Sequence, residues 1–550
     1  VDELTDPHTA LAGEPVRVPD RVGRAAATIT GWNLLSRLTG FARTLATAGA
    51  LGVGILGDTY QSANVVSNIL FELLAGGLLF SVLVPTFVGL LDQDRRDQAS
   101  ALAGVLLARA LAALGALVVV GIVAAPLIMR ALTLGVEDPA ARQDQVRLGS
   151  FLLWFILPQL LLYATGAVSS ALLQADRRFT AVAVAPVFNN VVVLATMVAF
   201  AAVHRPAAGL TLTGGEKLLL GGGTLAGTVA LTAVLLVGGR RRGLVARPRW
   251  RDPGATGLAG LARKGLWGAG HIGLNQVLVA ATVIWAARVR GGVIAYQTAF
   301  TFFLLPHAVL AHPIFTALFP RLSTAATAGD MDRFADDVGG GVRAMALLLA
   351  PAAGLLAVVA LPALTVARVG RLDGRGAELV AAVLSAYLVG LLGYSAFFLL
   401  TRASYALGDV RSPTAVNLGV TLGAVAAMAA TSTMVDGDGR VVVLGLVHAV
   451  AVTGGSVVLF GRLQRAVGRP VPVAATLARA VLGTAVAVGV AVVPVRLIGT
   501  DGRGSALLAV VAAAAAGLVA YAAVLALTRT PELELLRARR QRRQSPAARS

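Results

Sequence analysis

From about Ala25 to Leu527 the chain is a succession of long apolar runs separated by short stretches rich in Gly, Pro, Asp and Arg. A run of about 20 apolar residues crosses a hydrocarbon core of about 30 Å as a helix. The pattern predicts fourteen helices, at about 25–50, 58–91, 99–133, 148–174, 179–203, 217–238, 258–288, 293–320, 339–367, 377–401, 413–433, 440–461, 474–498 and 504–528. The short alternating strands of a membrane β-barrel are missing. The expected class is therefore an all-α polytopic membrane protein.

Polar residues interrupt this pattern in register. In the first helix Asn33, Arg37, Gly40 and Thr44 share one face, with Arg43 on another. In the second, Gln61, Asn64, Asn68, Glu72 and Gly76 share a face, and Asp58 stands just before them. Ionisable groups inside membrane helices usually face a protein interior or a water-filled path, so these stripes predict a cavity wall. The plainer alternative is an Arg37–Glu72 ion pair or a helix contact through asparagine. The seventh helix carries His271 and Asn275, and the eighth Gln297 and Thr301 followed by Pro306, His307, His312 and Pro313. A histidine there either carries a proton or bonds backbone freed by a proline. Arg109, inside the third helix, either snorkels to the headgroups or lines the cavity.

Two halves of the chain echo each other. "GDTYQSAN" around Tyr60 faces "VIAYQTAF" around Tyr296, "LVPTF" at Pro85 faces "LFPRL" at Pro320, and the segment around Asp176 faces that around Asp409. The offsets, 296 − 60 = 236, 320 − 85 = 235 and 409 − 176 = 233, span six predicted helices. The copies then have the same orientation, giving two parallel six-helix repeats and a C-terminal helix pair, and Gln297 stands as the mate of Gln61. The expected plan is a polar segment 1–24, a lobe 25–238, a basic linker 239–257, a second lobe 258–461, the helix pair 474–528 and a basic tail 529–550. Substrate sites in such repeats lie between the halves near the midplane.

Charge then fixes direction. Arginines crowd one set of alternate loops (Arg95 and Arg96, Arg177 and Arg178, Arg240 to Arg242, Arg462, Arg465 and Arg469) and the tail. The positive-inside rule places both termini in the cytoplasm. The net charge of +19 is spread over these loops rather than gathered on a nucleic-acid-binding domain. Of 47 basic residues only Lys217 and Lys264 are lysine, which with the abundance of Ala, Gly and Val points to a GC-rich genome. Charged residues are 14% of the chain, against about 25% in soluble domains. No cysteine is present, no Walker loop occurs, no His/Asp/Glu cluster has metal spacing, and the polar residues 1–24 do not read as a cleavable signal. No resident cofactor or metal and no enzymatic activity are expected.

"SRLTGFAR" (36–43) with "GDTYQSANVVSNILFELLAGGLLFSVLVPTF" (57–87) resembles the N-terminal signature of the MurJ/MviN family, lipid II flippases of the MOP exporter superfamily. "ADRRFTAVAVAPVFNNVVV" (175–193) and "RASYALGDVRSPTAVN" (402–417) resemble two further family segments, and "NILFELLAGG" its GC-rich Gram-positive branch. The resemblance implies two lobes in a V around a cationic cavity that opens alternately to each side, with the last helix pair forming a groove for a polyprenyl tail. It implies transport of the undecaprenyl-diphosphate-linked peptidoglycan precursor to the outer leaflet of the cell membrane, for wall synthesis and cell shape. By the same motif, Arg37 and Arg43 would hold the diphosphate and Asp58 is the family's acidic residue. The sequence departs where relatives carry further arginines: Phe71 and Glu72 stand for a pair, and Thr301 lies in the stretch that holds a third. Membrane lipids and cell-wall synthesis proteins are the other expected partners. The coupling ion stays open among H+, Na+ and the membrane potential alone.

Two rival readings remain at this level. One is an exporter of another polyprenyl-linked saccharide, or a drug/cation antiporter; the latter predicts a carboxylate-rich cavity and twelve helices. The other is a scaffold that recruits wall enzymes without transporting, tolerant of losing its cavity charges.

Overall fold

The structure, a computed structural model, describes residues 20–75, 79–205, 210–250 and 258–530. Segments 1–19, 251–257 and 531–550 and the stripe residue Gly76 lie outside the described residues, and with them most of the N-terminal segment, part of the linker and the tail. Among the described residues the regular structure is helical, with no strand.

The first bundle comprises α1 (Asp20–Leu51), α2 (Ile55–Ala75), α3 (Leu79–Asp92), α4 (Arg96–Val123), α5 (Ala125–Leu132), α6 (Pro139–Ile156), α7 (Gln159–Ala175), α8 (Phe179–Val203) and α9 (Gly214–Arg240). The second comprises α10 (Leu258–Ala286), α11 (Gly292–Pro306), α12 (His312–Thr327), α13 (Met331–Val366), α14 (Gly374–Leu388), α15 (Leu391–Ala406), α16 (Arg411–Thr431) and α17 (Gly439–Val467). Then follow α18 (Ala474–Ile498) and α19 (Arg503–Leu527), which pack on each other and on α13. Leu355 of α13, Ala487 and Ala491 of α18, and Ala513 and Tyr521 of α19 make that contact a small core of its own.

Local chemistry explains the ends and breaks. Asp138, Asp330 and Asp373 accept N–H bonds from Ala140, Arg333 and Gly376 at the starts of α6, α13 and α14, satisfying donors that a helix start leaves unpaired. Thr213 and Glu216 form a capping box on α9. Pro126 follows the break between α4 and α5, and Pro158 stands in the one between α6 and α7. Pro306 and Pro313 bracket a π-helical turn, His307–Ala311, between α11 and α12. A 47° bend separates α14 from α15 at Val389 and Gly390.

Several predicted single helices are thus broken ones. Ten helical stretches among the described residues are long and apolar enough to span a membrane, eleven if the bent α14–α15 pair counts as one. The other three predicted spans fall on α1, on α2 with α3, and on α10. They are helical but are not among these ten: polar stripes interrupt the first two, and α10 contributes the apolar stretch Gly270–Ala286. The count of fourteen spans is therefore not established by the structure.

The internal echo has a structural counterpart. In the first bundle the Asn190 amide of α8 donates to the Ser36 carbonyl of α1 at 3.0 Å. In the second, the Asn417 amide of α16 donates to the His271 carbonyl of α10 at 3.0 Å. Each bundle ties its first helix to a later one through an asparagine. The turns before α8 and α16 share a left-handed residue, Arg177 (φ 57°) and Gly408 (φ 77°).

Candidate functional site

A polar cavity of about 210 Å³ opens between α1, α2, α7, α8 and α9 of the first bundle and α11 of the second. Its walls include Arg43, Thr44 and Thr47 from α1, then Tyr60, Gln61, Asn64 and Asn68 from α2. The helical spacing of the α2 residues puts them on one face, as the sequence predicts. Gln297 and Thr301 close the cavity from α11, one turn apart. Among the described residues no carboxylate lines it, so Arg43 has no acidic partner in the lining.

The rest of the wall is a hydrogen-bonded set that sequence reasoning missed. Tyr60 Oη and Thr224 Oγ1 are 2.8 Å apart, and Thr224 donates to its own helix at Leu220 O. Thr228 donates to Gln159 Oε1 at 3.0 Å, with Tyr163 Oη 3.4 Å from the same oxygen. Gln159 is buried, yet its Nε2 has no partner among the described residues. A buried amide N–H without an acceptor is costly, and here it belongs to a residue of the cavity wall. Single polar residues inside apolar runs give little warning of this; Gln159 beside Pro158 was the one available signal.

The other predicted site residues lie elsewhere. Asn33 and Arg37 are exposed and do not line this cavity. On the same side of α1, a Cβ on Gly40 would lie 3.3 Å from Asn190 Nδ2, so that side turns toward α8. Arg37 instead stands within electrostatic reach of His307 and His312, as does Arg402 of α15. Arg402 is half-buried, with Cζ 4.4 Å above the Phe315 ring. Glu72 is exposed and forms no ion pair with Arg37 among the described residues. Arg109 is exposed on α4, away from this cavity.

His271 and Asn275 serve the second bundle internally. The Asn417 amide bridges the His271 carbonyl and Asn275 Oδ1, at 3.0 and 3.1 Å. His307 Nδ1 lies 2.9 Å from Ser395 Oγ, packed by the rings of Tyr394, Phe315 and Phe398. That is the setting of a hydrogen-bonded core histidine.

Asp58 is buried and does not line the cavity; it joins the bundles. Its Oδ2 accepts the Gly291 N–H at 2.7 Å and its Oδ1 the Ile294 N–H at 3.0 Å. The carboxylate of the first bundle thus caps the first turn of α11 in the second, where helix N–H groups point outward and favour an anion. Around it the two backbones meet. Arg371 N donates to Gly49 O at 2.7 Å, and the Arg371 guanidinium to His204 O at 3.3 Å. Arg440 reaches Glu137 at 3.3 Å from the opposite bundle. These contacts form a seam closing one end of the molecule, directly beyond the Arg43 cavity along α1 and α2.

The family model of the lipid II flippase MurJ matches residues 47–512. The chain belongs to the MurJ lipid II flippase family. Similar proteins of this family include the lipid II flippase MurJ of Burkholderia cenocepacia, 28% identical over 415 residues and covering 72% of this chain and 76% of that one. The probable lipid II flippase MurJ of Vibrio cholerae is 26% identical over 418 residues, 72% and 75% of the two chains. Among solved structures, a lipid II flippase MurJ in an inward closed conformation superposes with a TM-score of 0.73 at 15% identity, covering 92% of this chain and 99% of that one. An inward-facing multidrug MATE transporter of the MOP superfamily superposes at 0.63 and 13% identity, with 80% and 98% covered. Membership makes the chain a multi-pass membrane transporter of the flippase type rather than an enzyme.

Proposed function

We propose that this chain carries a polyprenyl-diphosphate-linked cell-wall precursor, lipid II, between leaflets by alternating access. The observation that carries the reading is the juxtaposition of an acid-free cavity, holding Arg43, with a closed inter-bundle seam. A single arginine among neutral donors favours an anion with hydroxyl or amide groups beside it, as a saccharide diphosphate has. Arg37 lies six residues nearer the N-terminus, about 9 Å along the helix, and extends the cationic path away from the seam, with Arg402 another cation acting on the same two histidines. In this reading the 25–238 and 258–461 lobes rock about the midplane, and α18 with α19 attends the lipid tail.

The positive-inside rule supports cytoplasmic termini, which sets the seam on the outer side and the described state open toward the cytoplasm. The cavity's lack of acids disfavours cation exchange of a drug, which leaves the lipid-linked anion as the better fit. The decisive measurement is the leaflet distribution of lipid II in cells depleted of this protein and complemented with variants. Arg43→Ala is expected to leave lipid II on the inner leaflet at normal protein level. Normal outer-leaflet lipid II with Arg43→Ala would remove Arg43 from the substrate path; normal distribution after depletion would remove the function.

A further inference from the structure

The second bundle holds a groove that this transport reading does not use. Between α16 and α17 runs a cleft of about 670 Å³ whose walls are aliphatic along their length, with Val416, Leu446, Val450 and Val458 among them. Gly419 and Gly423 of α16 also line it, and a Cβ on either would meet nothing within 4 Å. In the first bundle the corresponding pair, α8 and α9, is closed. There a Cβ on Gly223 would lie 2.2 Å from Thr196, and one on Gly227 2.7 Å from Asn189 and Val193. Glycines in membrane helices ordinarily let a neighbouring backbone approach. Gly223 and Gly227 of α9 do so, whereas α16 and α17 touch at Gly455 and Val420 and leave the space over Gly419 and Gly423 open.

One end of the groove is charged. Arg462 lines it and also lines a second, polar crevice of about 610 Å³ with Arg465, Ser404, Ser412 and Asp409. Arg462 makes no ion pair among the described residues, and its Nη1 lies 3.5 Å from Ser412 Oγ. Asp409, the one acid of the crevice, is occupied at the start of α16, accepting the N–H groups of Arg411 and Ser412 at 3.1 and 2.9 Å. Two arginines therefore face one engaged carboxylate, at the arginine-rich end of the bundle.

We propose that this groove and crevice together hold one anionic glycerophospholipid of the membrane, an acyl chain over Gly419 and Gly423 and the phosphate on Arg462 and Arg465. The apolar length matches the chain and the basic mouth matches the headgroup, so the two halves recognise the two ends of one molecule. The cleft's volume is that of a small-ligand site, about 300–1,000 Å³. The lipid would act as a filler that completes the α16–α17 contact, away from the Arg43 cavity.

The test is native mass spectrometry of the full chain in mild detergent, titrated with phosphatidylglycerol, phosphatidylcholine or undecaprenyl phosphate. One tightly held phosphatidylglycerol is expected, preferred over phosphatidylcholine. Arg462→Gln with Arg465→Gln should weaken phosphatidylglycerol alone, by about fivefold for each arginine. Gly423→Leu, which fills the groove and asks nothing of a neighbour, should weaken both phospholipids. An unchanged phosphatidylglycerol to phosphatidylcholine ratio in the double variant would overturn the headgroup assignment. Retention of both lipids by Gly423→Leu would overturn the groove, as would undecaprenyl phosphate binding that exceeds phosphatidylglycerol and is lost in Gly423→Leu. Loss of lipid flipping in Arg43→Ala leaves these outcomes untouched, so the two readings fail separately.

Discussion

Two carboxylates in this molecule do the same physical job in different places. Asp58 and Asp409 each accept two backbone N–H groups at a helix start, but Asp409 caps its own helix whereas Asp58 caps a helix of the other bundle. Asp58→Asn keeps one acceptor oxygen and removes the charge, losing about 1.5–3 kcal/mol of charge-assisted bonding. The expected result is a seam that opens about ten- to a hundredfold more often. The chain has no cysteine, so Thr47→Cys gives a single thiol in the cavity. Its labelling by an impermeant maleimide from the seam side should rise in the Asp58→Asn background. Unchanged labelling would mean that Asp58 does not hold the seam shut. For Asp409, burial pushes the carboxyl up, but the Ser412 hydroxyl and the two N–H bonds outweigh it, with the Arg462 charge adding to them. The net result is a value below the ordinary 3.8. A depressed folded value means that the stabilisation is complete above the ordinary range and is lost as pH falls through the folded value. Thermal unfolding scans in detergent should show Asp409→Ala losing about 1 kcal/mol at neutral pH, with the difference from wild type shrinking in acid.

At the scale of elements, the seam depends on backbone that has no room for side chains. Gly291 has φ +82° and a Cβ there would lie 2.5 Å from Val53 O; Gly370 has φ +59° and a Cβ there would lie 2.4 Å from Gly49 O. Gly291→Ala combines a left-handed backbone with a cross-bundle clash, and overpacking alone costs about 1–3 kcal/mol. It is expected to leave each bundle folded but to increase maleimide labelling of Thr47→Cys, as Asp58→Asn does. A drop in melting temperature without added labelling would place the strain inside the second bundle instead. The same elements show how far the sequence could be read. The stripe Gln61, Asn64 and Asn68 was legible because an amphipathic period survives in one continuous helix, and it leads to the cavity. Gln297 followed from the repeat, and Thr301 from its place one turn further along the same helix. Asp58 was legible as important but not as a seam, because its partners are backbone N–H groups far along the chain and backbone donors leave no mark on residue identity. Glu72 and Arg37 were read as cavity-wall residues, with an ion pair between them as the plainer alternative; both are exposed, and their helices meet little. Gln159, Tyr163, Thr224 and Thr228 were hidden because each is a lone polar residue in its run, and only tertiary packing brings them to Tyr60.

For the whole molecule, alternating access requires the seam to part, since one permanently closed end leaves no exit for the cargo. The absence of cysteine makes this testable with a single engineered cross-link. A Cβ on Gly376 would lie 2.8 Å from Val53 Cβ. A small outward shift of the loop brings the pair Val53→Cys and Gly376→Cys to the separation of about 3.5–4.5 Å that a disulfide needs. Oxidised, the pair fixes the first bundle to the second at the closed end while leaving the Arg43 cavity and the cationic path through Arg37 intact. The binding of a lipid-linked diphosphate from the open side should therefore persist, with movement to the other leaflet lost and restored by reductant. Each single-cysteine variant controls for the substitutions themselves. Full transport in the quantitatively cross-linked protein would exclude opening at this seam and with it the rocking of two bundles, since no population shift can pass through a state that a covalent bond forbids.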